Sequence, residues 1–259
     1  MKEIDLKILA RFDPVVFARE YLGFTPYLSQ EKILRSLSKR MMLNCCRQYG
    51  KTSLTAIRAL WHALYHPGSL ILIVAKAERQ AQELLRKVRQ MGLLVKEVLY
   101  VNESKTHLEL DNGARIISLP SSSGGIRGYS APDIVICDEA ARITDELFVA
   151  LKPMLMRGGI MIMLSTPAGK RGFFWHCWTN DDSWEKWEIP VDQNPGATRE
   201  FIETERRTLP DHHFRGEYLC KFIDVVDAAF DFDYIEKLFS SQVHPMFTES
   251  LLSEEVEPL

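Results

Sequence analysis

The feature that most constrains the fold is the alternation of short apolar runs with amphipathic helical segments. Three runs, "MMLNCC" at 41–46, "SLILIVA" at 69–75 and "DIVICDEA" at 133–140, are almost continuously apolar and are typical of buried strands. The segments after the first two runs, Thr52–Tyr65 and 78–92, repeat apolar residues at helical spacing. This order predicts a mostly parallel sheet with helices on both faces, in which ligands bind beyond the carboxyl ends of the strands.

The remaining predicted elements fit the same α/β pattern. The stretch "HLELDNGARIISLP" at 107–120 alternates around Asp-Asn-Gly, which is a strong hairpin signal. A helix is predicted over 144–159, beginning at Thr144, and "IMIML" at 160–164 predicts another buried strand. The segment "WEKWEIPV" at 184–191 is a candidate for the last strand.

Composition limits the classes of function. A chain of 259 residues with 46% hydrophobic and 26% charged residues is typical of a soluble globular domain, alone or with a small satellite. No apolar run is long enough to cross a bilayer, and charges interrupt the N-terminal segment, which excludes a secretory signal. With a net charge of −3, any DNA contact must be a local patch or be built by several subunits. The five cysteines lack C-x-x-C spacing and predict buried free thiols.

The segment "CCRQYGKT" at 45–52 follows the first predicted strand and has half of a phosphate-binding P-loop. The full pattern G-x-x-x-x-G-K-[ST] requires glycine where this chain has Cys45. In the half that remains, Gly50 would let the backbone approach a phosphate and Lys51 would neutralise phosphate charge. Thr52 would place its hydroxyl on Mg²⁺. Taken alone, Gly-Lys-Thr is more often a glycine turn followed by an exposed lysine.

Two acids stand at the end of the strand "DIVICDEA". Carboxylates at the end of a buried strand are costly unless they bind something. A Walker B arrangement accounts for both, since Asp138 would hold Mg²⁺ and Glu139 would polarise the attacking water. The alternative is a helix N-terminus at which acids are favourable.

A third polar segment, "LSTPAG", follows the next predicted strand. In a parallel sheet, Ser165 and Thr166 would lie beside the end of the strand that carries Asp138, near the γ-phosphate. A hydroxyl there would sense the phosphate. The alternative is a plain β-turn with Pro167 at its second position.

Taken in order, these motifs resemble the ATPase domain of the large terminase subunit, the motor that packages DNA into tailed bacteriophage heads. The resemblance rests on "YLSQEKIL", "CCRQYGKTS", "LILIVAKAERQAQEL", "IRGYSAPDIVICDEAA", "LSTPAG" and "HFRGEYLCKF". It implies a RecA-like P-loop NTPase of the additional-strand, catalytic-glutamate type, with a small C-terminal lid. In this family the first glycine of the loop is often replaced, which makes Cys45 tolerable.

The resemblance also implies roles for individual residues. Gln30 stands at the adenine-recognising position, Arg47 would act on the phosphates, and Arg127 is a candidate arginine finger for a neighbouring subunit. The implied cofactors are ATP and Mg²⁺, the latter held by Thr52 and Asp138. The implied nucleotide-binding residues are Gln30, Arg47, Gln48, Tyr49, Gly50, Lys51, Thr52 and Ser53. The implied catalytic residues are Glu139, Lys51, Arg127, Arg47 and Thr166.

The family further implies partners and a domain plan. We expect an ATPase core over 1–183, a small lid over 184–239 and a flexible linker over 240–259, leading toward a nuclease domain that this chain does not contain. The partners implied are double-stranded DNA, the portal protein and the small terminase subunit. The chain would form a homo-oligomeric ring, taken as a pentamer, on the portal, be monomeric in isolation and act in the host cytoplasm, with no membrane contact.

Two other functions fit parts of the pattern. A superfamily-two helicase or translocase also has an upstream glutamine and an Asp-Glu pair, but the residues after 224 are too few for a second RecA-like domain. A catalytically silent assembly module would bind nucleotide only to stabilise its structure. Such a module would have no need of the water-polarising Glu139.

Overall fold

The computed structural model describes residues 3–120, 126 and 128–223. Arg127, the part of the predicted lid from 224 to 239 and the predicted linker over 240–259 lie outside the described residues.

Eight strands form one sheet in the part of the chain that the structure describes, in the order β3-β4-β5-β2-β6-β7-β1-β8. In the part of this order that runs β5-β2-β6-β7-β1-β8, all neighbouring strands pair in parallel. Strand β4 pairs antiparallel with both β3 and β5. The strands are β1 (Arg40–Cys45), β2 (Leu70–Ala75), β3 (Tyr100–Glu103), β4 (His107–Leu110), β5 (Arg115–Pro120), β6 (Ile134–Asp138), β7 (Ile160–Ser165) and β8 (Glu185–Ile189).

Helices connect the strands and precede the sheet. They are α1 (Glu3–Phe12), α2 (Pro14–Leu22), α3 (Leu28–Arg35), α4 (Lys51–Tyr65), α5 (Glu78–Gly92), α6 (Asp145–Leu151), α7 (Gly172–Asn180), α8 (Arg199–Thr208) and α9 (Asp211–Glu217). Over the described ranges, no helix combines the length and the apolarity that a bilayer crossing requires.

Alternate residues of the central strands enter two separate cores. In β1, Met41 and Leu43 pack with helices α4 and α5, whereas Met42 points to the opposite face, where α6 and α7 pack. This arrangement follows from the period of two in a strand, and it explains why the central strands are apolar at almost every position. The predicted α/β sandwich with helices on both faces is confirmed.

The order of the central strands identifies the subtype. Strand β7 lies between β1 and β6, so one strand separates the strand that precedes the Gly-Lys-Thr loop from the strand that ends in Asp138 and Glu139. This inserted strand is the additional strand that the family resemblance implied, and the RecA-like class is confirmed.

The three N-terminal helices are an addition that the sequence patterns did not predict. Asp13 caps α2 by accepting a hydrogen bond from Val15 N at 2.8 Å, and Pro14 occupies the first turn. The buried Arg58 of α4 donates to the carbonyl oxygen of Leu34 at 2.6 Å. This bond ties the end of α3 to the helix that begins at the Gly-Lys-Thr loop.

The structure shortens one predicted helix, contains the predicted last strand and leaves the predicted domain division untested. The helix predicted over 144–159 ends at Leu151 and continues only as a 3₁₀ turn, Lys152–Leu155, because Pro153 cannot donate an intrahelical hydrogen bond. The predicted strand after 184 is present as β8, which pairs with β1 in the main sheet. The division into 1–183, 184–239 and 240–259 remains a prediction.

The sheet core gives a direct stability test. Leu72 lies in the middle of β2 and is fully buried, so Leu72→Ala leaves a cavity and is expected to lower the free energy of unfolding by about 3 kcal/mol. Leu37→Ala is the matched control, because Leu37 is 90% exposed and should change stability by less than about 0.5 kcal/mol. Urea titration followed by circular dichroism measures both, and equal losses would contradict the assigned core.

Candidate active site

An open cleft of about 690 Å³ lies at the carboxyl edge of the sheet, where β1, β7 and β6 end. The parallel register places Asp138 opposite Leu164 and Asn44 opposite Ser165, so the three strands end side by side. The cleft is lined by Arg47, Gln48, Tyr49, Gly50, Lys51, Thr52, Ser53, Gln80, Lys87, Glu139, Arg142, Thr166 and Glu217.

The loop between β1 and α4 turns sharply at two residues in the left-handed region. Gly50 has φ 95° and Gln48 has φ 59°. A Cβ atom at Gly50 would lie 3.2 Å from Nε2 of Gln30, so glycine is required both for the backbone angle and for this close approach. The loop therefore leads directly into the N-terminus of α4, where backbone N–H groups favour an anion.

Lys51 begins α4, and its ammonium group folds back onto the loop. It donates hydrogen bonds to the carbonyl oxygens of Cys45 and, at 3.0 Å, Cys46. These contacts satisfy the ammonium group without an anion and hold it at the base of the cleft. A bound phosphate would offer the same donor a stronger, charged acceptor.

Cys45 occupies the position at which the strict pattern has glycine. Its side chain is fully buried at the end of β1, and burial raises the pKa of its thiol well above the ordinary value. Cys46 is also fully buried, and burial raises the pKa of that thiol too. The described cysteines are free and buried, as predicted from the sequence.

Gln30 lies behind the loop and is only 3% exposed. Its amide oxygen accepts from Tyr27 N at 3.0 Å, and its Nε2 donates to the carbonyl oxygen of Tyr49 at 2.8 Å. The Tyr49 side chain is buried as well and donates to Ser29 Oγ at 2.7 Å. Gln30 thus fixes the loop backbone, and adenine recognition by Gln30 stays a prediction that would have to use its second amide N–H.

Asp138 stands at the end of β6 with its carboxyl group mostly buried. Burial, together with the neighbouring charge of Glu139, raises the pKa of this group from 3.8 to about 6. A hydrogen bond from Glu139 N and the charge of Lys51 act in the opposite direction.

Glu139 adopts a conformation that is rare for a residue with a side chain. Its backbone has φ 51° and ψ 44°, and left-handed non-glycine residues cost about 1–3 kcal/mol. The turn directs the carboxylate into the cleft, where it accepts a hydrogen bond from Arg142 Nη1 at 2.7 Å. Ser165 Oγ lies 3.5 Å from the same carboxylate oxygen.

Arg142 and Glu217 are site residues that the sequence patterns missed. Arg142 binds Glu139, and its Nη2 donates to Glu217 Oε1 at 3.2 Å. Glu217 also accepts from Arg47 Nε, at 2.9 Å to Oε2. Arg142 lies three residues after Glu139 and could have been suspected from this spacing, whereas Glu217 is 170 residues from Arg47 and carries no local signal.

Thr166 follows β7 and is almost fully buried. Arg142 Nη1 lies 3.4 Å from both the carbonyl oxygen and the hydroxyl oxygen of Thr166. The adjacent Ser165 donates to that same carbonyl oxygen at 2.6 Å. The segment after β7 is therefore held against the group that binds Glu139, in the position predicted from the strand order.

A divalent cation such as Mg²⁺ is bound in proteins by oxygen atoms, and the site offers a few of them. The described residues contain no cluster of three or more His, Cys, Asp or Glu side chains placed to hold a metal ion. Mg²⁺ that binds with a nucleotide needs few protein ligands, because it keeps waters and takes phosphate oxygens. The Thr52 hydroxyl in the first turn of α4 and the Asp138 carboxylate are of the donor types that Mg²⁺ prefers. These two residues fit such an ion.

Comparison with protein families gives one match that covers most of the chain. The family model described as "Terminase large subunit, T4likevirus-type, N-terminal" matches residues 42–237. A curated relative, the terminase large subunit of Thermus phage G20c, is 27% identical over 257 residues, which cover 82% of this chain and 51% of the relative. The chain thus spans about half the length of the curated relatives it matches.

Two solved structures share the fold. The large terminase ATPase domain of Thermus phage P74-26 aligns with a TM-score of 0.67 and 23% identity, over 79% of this chain and 97% of that chain. The large terminase of a thermophilic bacteriophage, solved in complex with ATP-gamma-S, aligns with a TM-score of 0.56 and 11% identity, over 82% of this chain and 52% of that chain.

The raised pKa of Asp138 predicts a stability gain on neutralising this residue. Because its folded pKa of about 6 exceeds the ordinary 3.8, the folded chain binds the proton more tightly than the unfolded chain. The stability contribution is therefore lost as the pH rises through the range from about 4 to about 6. Asp138→Asn, which retains the acceptor for Glu139 N, should raise the free energy of unfolding at pH 7 by about 2 kcal/mol without nucleotide or divalent cation.

The test is urea unfolding of both proteins between pH 4 and pH 8. The advantage of Asp138→Asn should be small near pH 4 and reach a plateau above pH 6. Asp182→Asn is the control, because that carboxylate is fully exposed and should show no such trend. A destabilised Asp138→Asn protein, or an advantage independent of pH, would contradict a buried, proton-binding Asp138.

Proposed function

The chain belongs to the terminase large subunit family of the T4-like-virus type, and from this premise we propose that it hydrolyses ATP to drive double-stranded DNA into a viral procapsid. One observation carries the proposal. A single cleft brings together a lysine at the start of the helix that follows a phosphate-type loop, an acid just after strand β6 and a hydroxyl just after strand β7, which lies between β6 and β1. These residues are Lys51, Glu139 and Thr166.

The loop and the first turn of α4 would bind the nucleotide phosphates. The N-terminus of α4 presents backbone N–H groups and a partial positive charge to an anion. Lys51 would exchange the carbonyl oxygens of Cys45 and Cys46 for phosphate oxygens. Thr52 and Asp138 would hold the Mg²⁺, which shields phosphate charge when it is bound. The thermophilic bacteriophage terminase that was solved with ATP-gamma-S supports a nucleotide as the ligand.

Glu139 is the proposed general base. Hydrolysis forms a bond between the water oxygen and the γ-phosphorus while the bond from that phosphorus to the β–γ bridging oxygen breaks. Glu139 would orient the water and accept its proton as this happens. In the structure the Glu139 carboxylate is bound by Arg142, so hydrolysis requires this ion pair to open or to shift.

Arginines complete the proposed site. Arg47 reaches the cleft from the loop, and we assign it to the phosphates of its own subunit or of the subunit boundary. The assignment of Arg127 as a finger that reaches a neighbouring γ-phosphate rests on the family resemblance alone. A guanidinium in that role contributes about 10³–10⁵ in rate, so the isolated chain would hydrolyse ATP slowly as a monomer.

The partners follow from family membership and are part of the proposal. They are double-stranded DNA, the portal protein, the small terminase subunit and further copies of the chain in a ring of five, acting in the host cytoplasm. The net charge of −3 supports the view that DNA is held by several subunits together.

Lys51→Ala tests the phosphate loop. Loss of the ammonium group should weaken binding of Mg-ATP by at least about tenfold and abolish hydrolysis, because the phosphate charge is left uncompensated. Calorimetric titration and phosphate release measure the two effects. Lys32→Ala, in an exposed lysine of α3, is the control and should behave as wild type. Near-normal turnover in Lys51→Ala would contradict the assignment of this loop as the phosphate-binding loop.

Glu139→Gln separates binding from chemistry. The amide keeps the size of the side chain but cannot accept the water proton, so the variant should bind Mg-ATP about as tightly as wild type and lose at least about 100-fold in rate. Single-turnover hydrolysis with radiolabelled ATP measures the rate. Wild-type turnover in Glu139→Gln would instead favour a structural role for Glu139. A wild-type chain that binds ATP but releases no phosphate would favour a nucleotide-binding module that does not hydrolyse ATP.

A further inference from the structure

The carboxylate of Glu217 joins two arginines that approach the cleft from different elements. Its Oε2 accepts from Arg47 Nε at 2.9 Å, and its Oε1 accepts from Arg142 Nη2 at 3.2 Å. Its backbone oxygen also accepts from Arg47 N at 3.1 Å. Glu217 thus ties α9 to the phosphate loop and to the turn after β6 at the same time.

The Glu217 carboxylate is held in its charged form. Burial acts to raise its pKa, but hydrogen bonding and charge from Arg47, the Thr166 hydroxyl and the charge of Arg142 outweigh burial and lower the pKa. Its side chain is 19% exposed, so these charges interact with less screening than they would on an open surface. The Glu217 carboxylate therefore compensates part of the charge of the two guanidinium groups that face the cleft.

Arg142 extends the contact to the proposed general base. It binds Glu217 through Nη2 and Glu139 through Nη1 at 2.7 Å. A continuous chain of charges, Arg47–Glu217–Arg142–Glu139, therefore crosses the cleft. A γ-phosphate arriving beside Lys51 would compete for the same guanidinium groups, because phosphate oxygens bind arginine in the same way as carboxylates.

We infer that Glu217 is a positioning residue that competes with the γ-phosphate for Arg47 and Arg142, and thereby makes the attachment of α9 depend on whether the bound nucleotide is a triphosphate. The inference rests on the proposed function. A ligand shifts an equilibrium only through its differential affinity for the two states, and the γ-phosphate supplies that difference. A diphosphate lacks the competing group and leaves α9 attached.

Helix α9 has other contacts that keep it folded without this carboxylate. Phe214 is buried in the main core, and the Tyr218 hydroxyl donates to Glu205 at 2.7 Å. The next turn is closed by a backbone bond from Lys221 N to Arg215 O at 3.0 Å. Glu217→Gln, which keeps the shape and one acceptor oxygen, should therefore change the charge of the site without unfolding the helix.

Nucleotide affinity gives the first test. In the presence of Mg²⁺, Glu217→Gln should bind a non-hydrolysable ATP analogue about fivefold to tenfold more tightly than wild type, since a competitor for the arginines has been weakened. The affinity for ADP should change by less than about twofold. Glu188→Gln is the matched control, because Glu188 forms a surface ion pair with Lys221 and should alter neither affinity. Calorimetric titration measures all three proteins.

Two further measurements separate positioning from a merely structural role. In a background carrying Arg47→Gln and Arg142→Gln, the gain from Glu217→Gln should disappear. In wild-type protein, hydrogen–deuterium exchange over 211–218 should increase with the ATP analogue and not with ADP. The exchange measurement does not depend on any variant folding.

Each outcome bears on one conclusion. If wild type binds the analogue but Glu217→Gln binds it no more tightly, or if the gain persists without the two arginines, Glu217 does not compete with the γ-phosphate. Equal exchange over 211–218 with the analogue and with ADP would overturn the inference as well. If the wild-type chain binds neither nucleotide, the proposed function fails, and this inference fails with it.

Discussion

The whole site depends on the parallel hydrogen bonding of β1, β7 and β6. Because parallel strands end at one edge, this pairing brings the loop at Cys46–Gly50, the acids at 138–139 and the hydroxyls at 165–166 together, although they are far apart in the sequence. The buried apolar side chains on both faces of the sheet fix the register, since a one-residue shift would move each of them into the opposite core, where the close packing does not match its shape. The chemistry of the cleft is thus positioned by the packing of the core.

Charge is the second organising influence. The cations Lys51, Arg47 and Arg142 are each bound to a carbonyl or carboxylate oxygen, and Glu139 and Glu217 are each bound by arginine. A polyanion entering such a site exchanges existing partners for itself and does not simply fill a positive pocket. Binding and rearrangement of the site are therefore linked by the same few hydrogen bonds, as the ion pair between Arg142 and Glu139 shows.

The sequence predicted the parts of the protein that have local signals. Apolar runs and helical periodicity predicted the central strands and the helices α4 and α5, and the polar residues that end the strands predicted Lys51, Asp138 and Glu139 as neighbours of one edge. The length of α6 could also have been predicted, since Pro153 lies inside the predicted helix, where a proline removes a hydrogen bond and breaks or kinks the helix. The spacing of Arg142 from Glu139 could have suggested their ion pair, but the contact of Arg142 with Glu217 could not have been predicted, because it depends on an approach between distant segments. The burial of Gln30 behind the loop could not be predicted either, because it also depends on an approach between distant segments.

Cys45 and Cys46 stand where the phosphate loop begins, and a reactive thiol there would expose the site to oxidants and electrophiles. Thiol chemistry proceeds through the thiolate, and both side chains are fully buried with pKa values raised by that burial. Burial thus keeps these thiols protonated and suppresses their nucleophilicity. The site is in this way insulated from the redox state of its surroundings, and alkylating reagents would report on unfolding of the chain and not on the occupancy of the cleft.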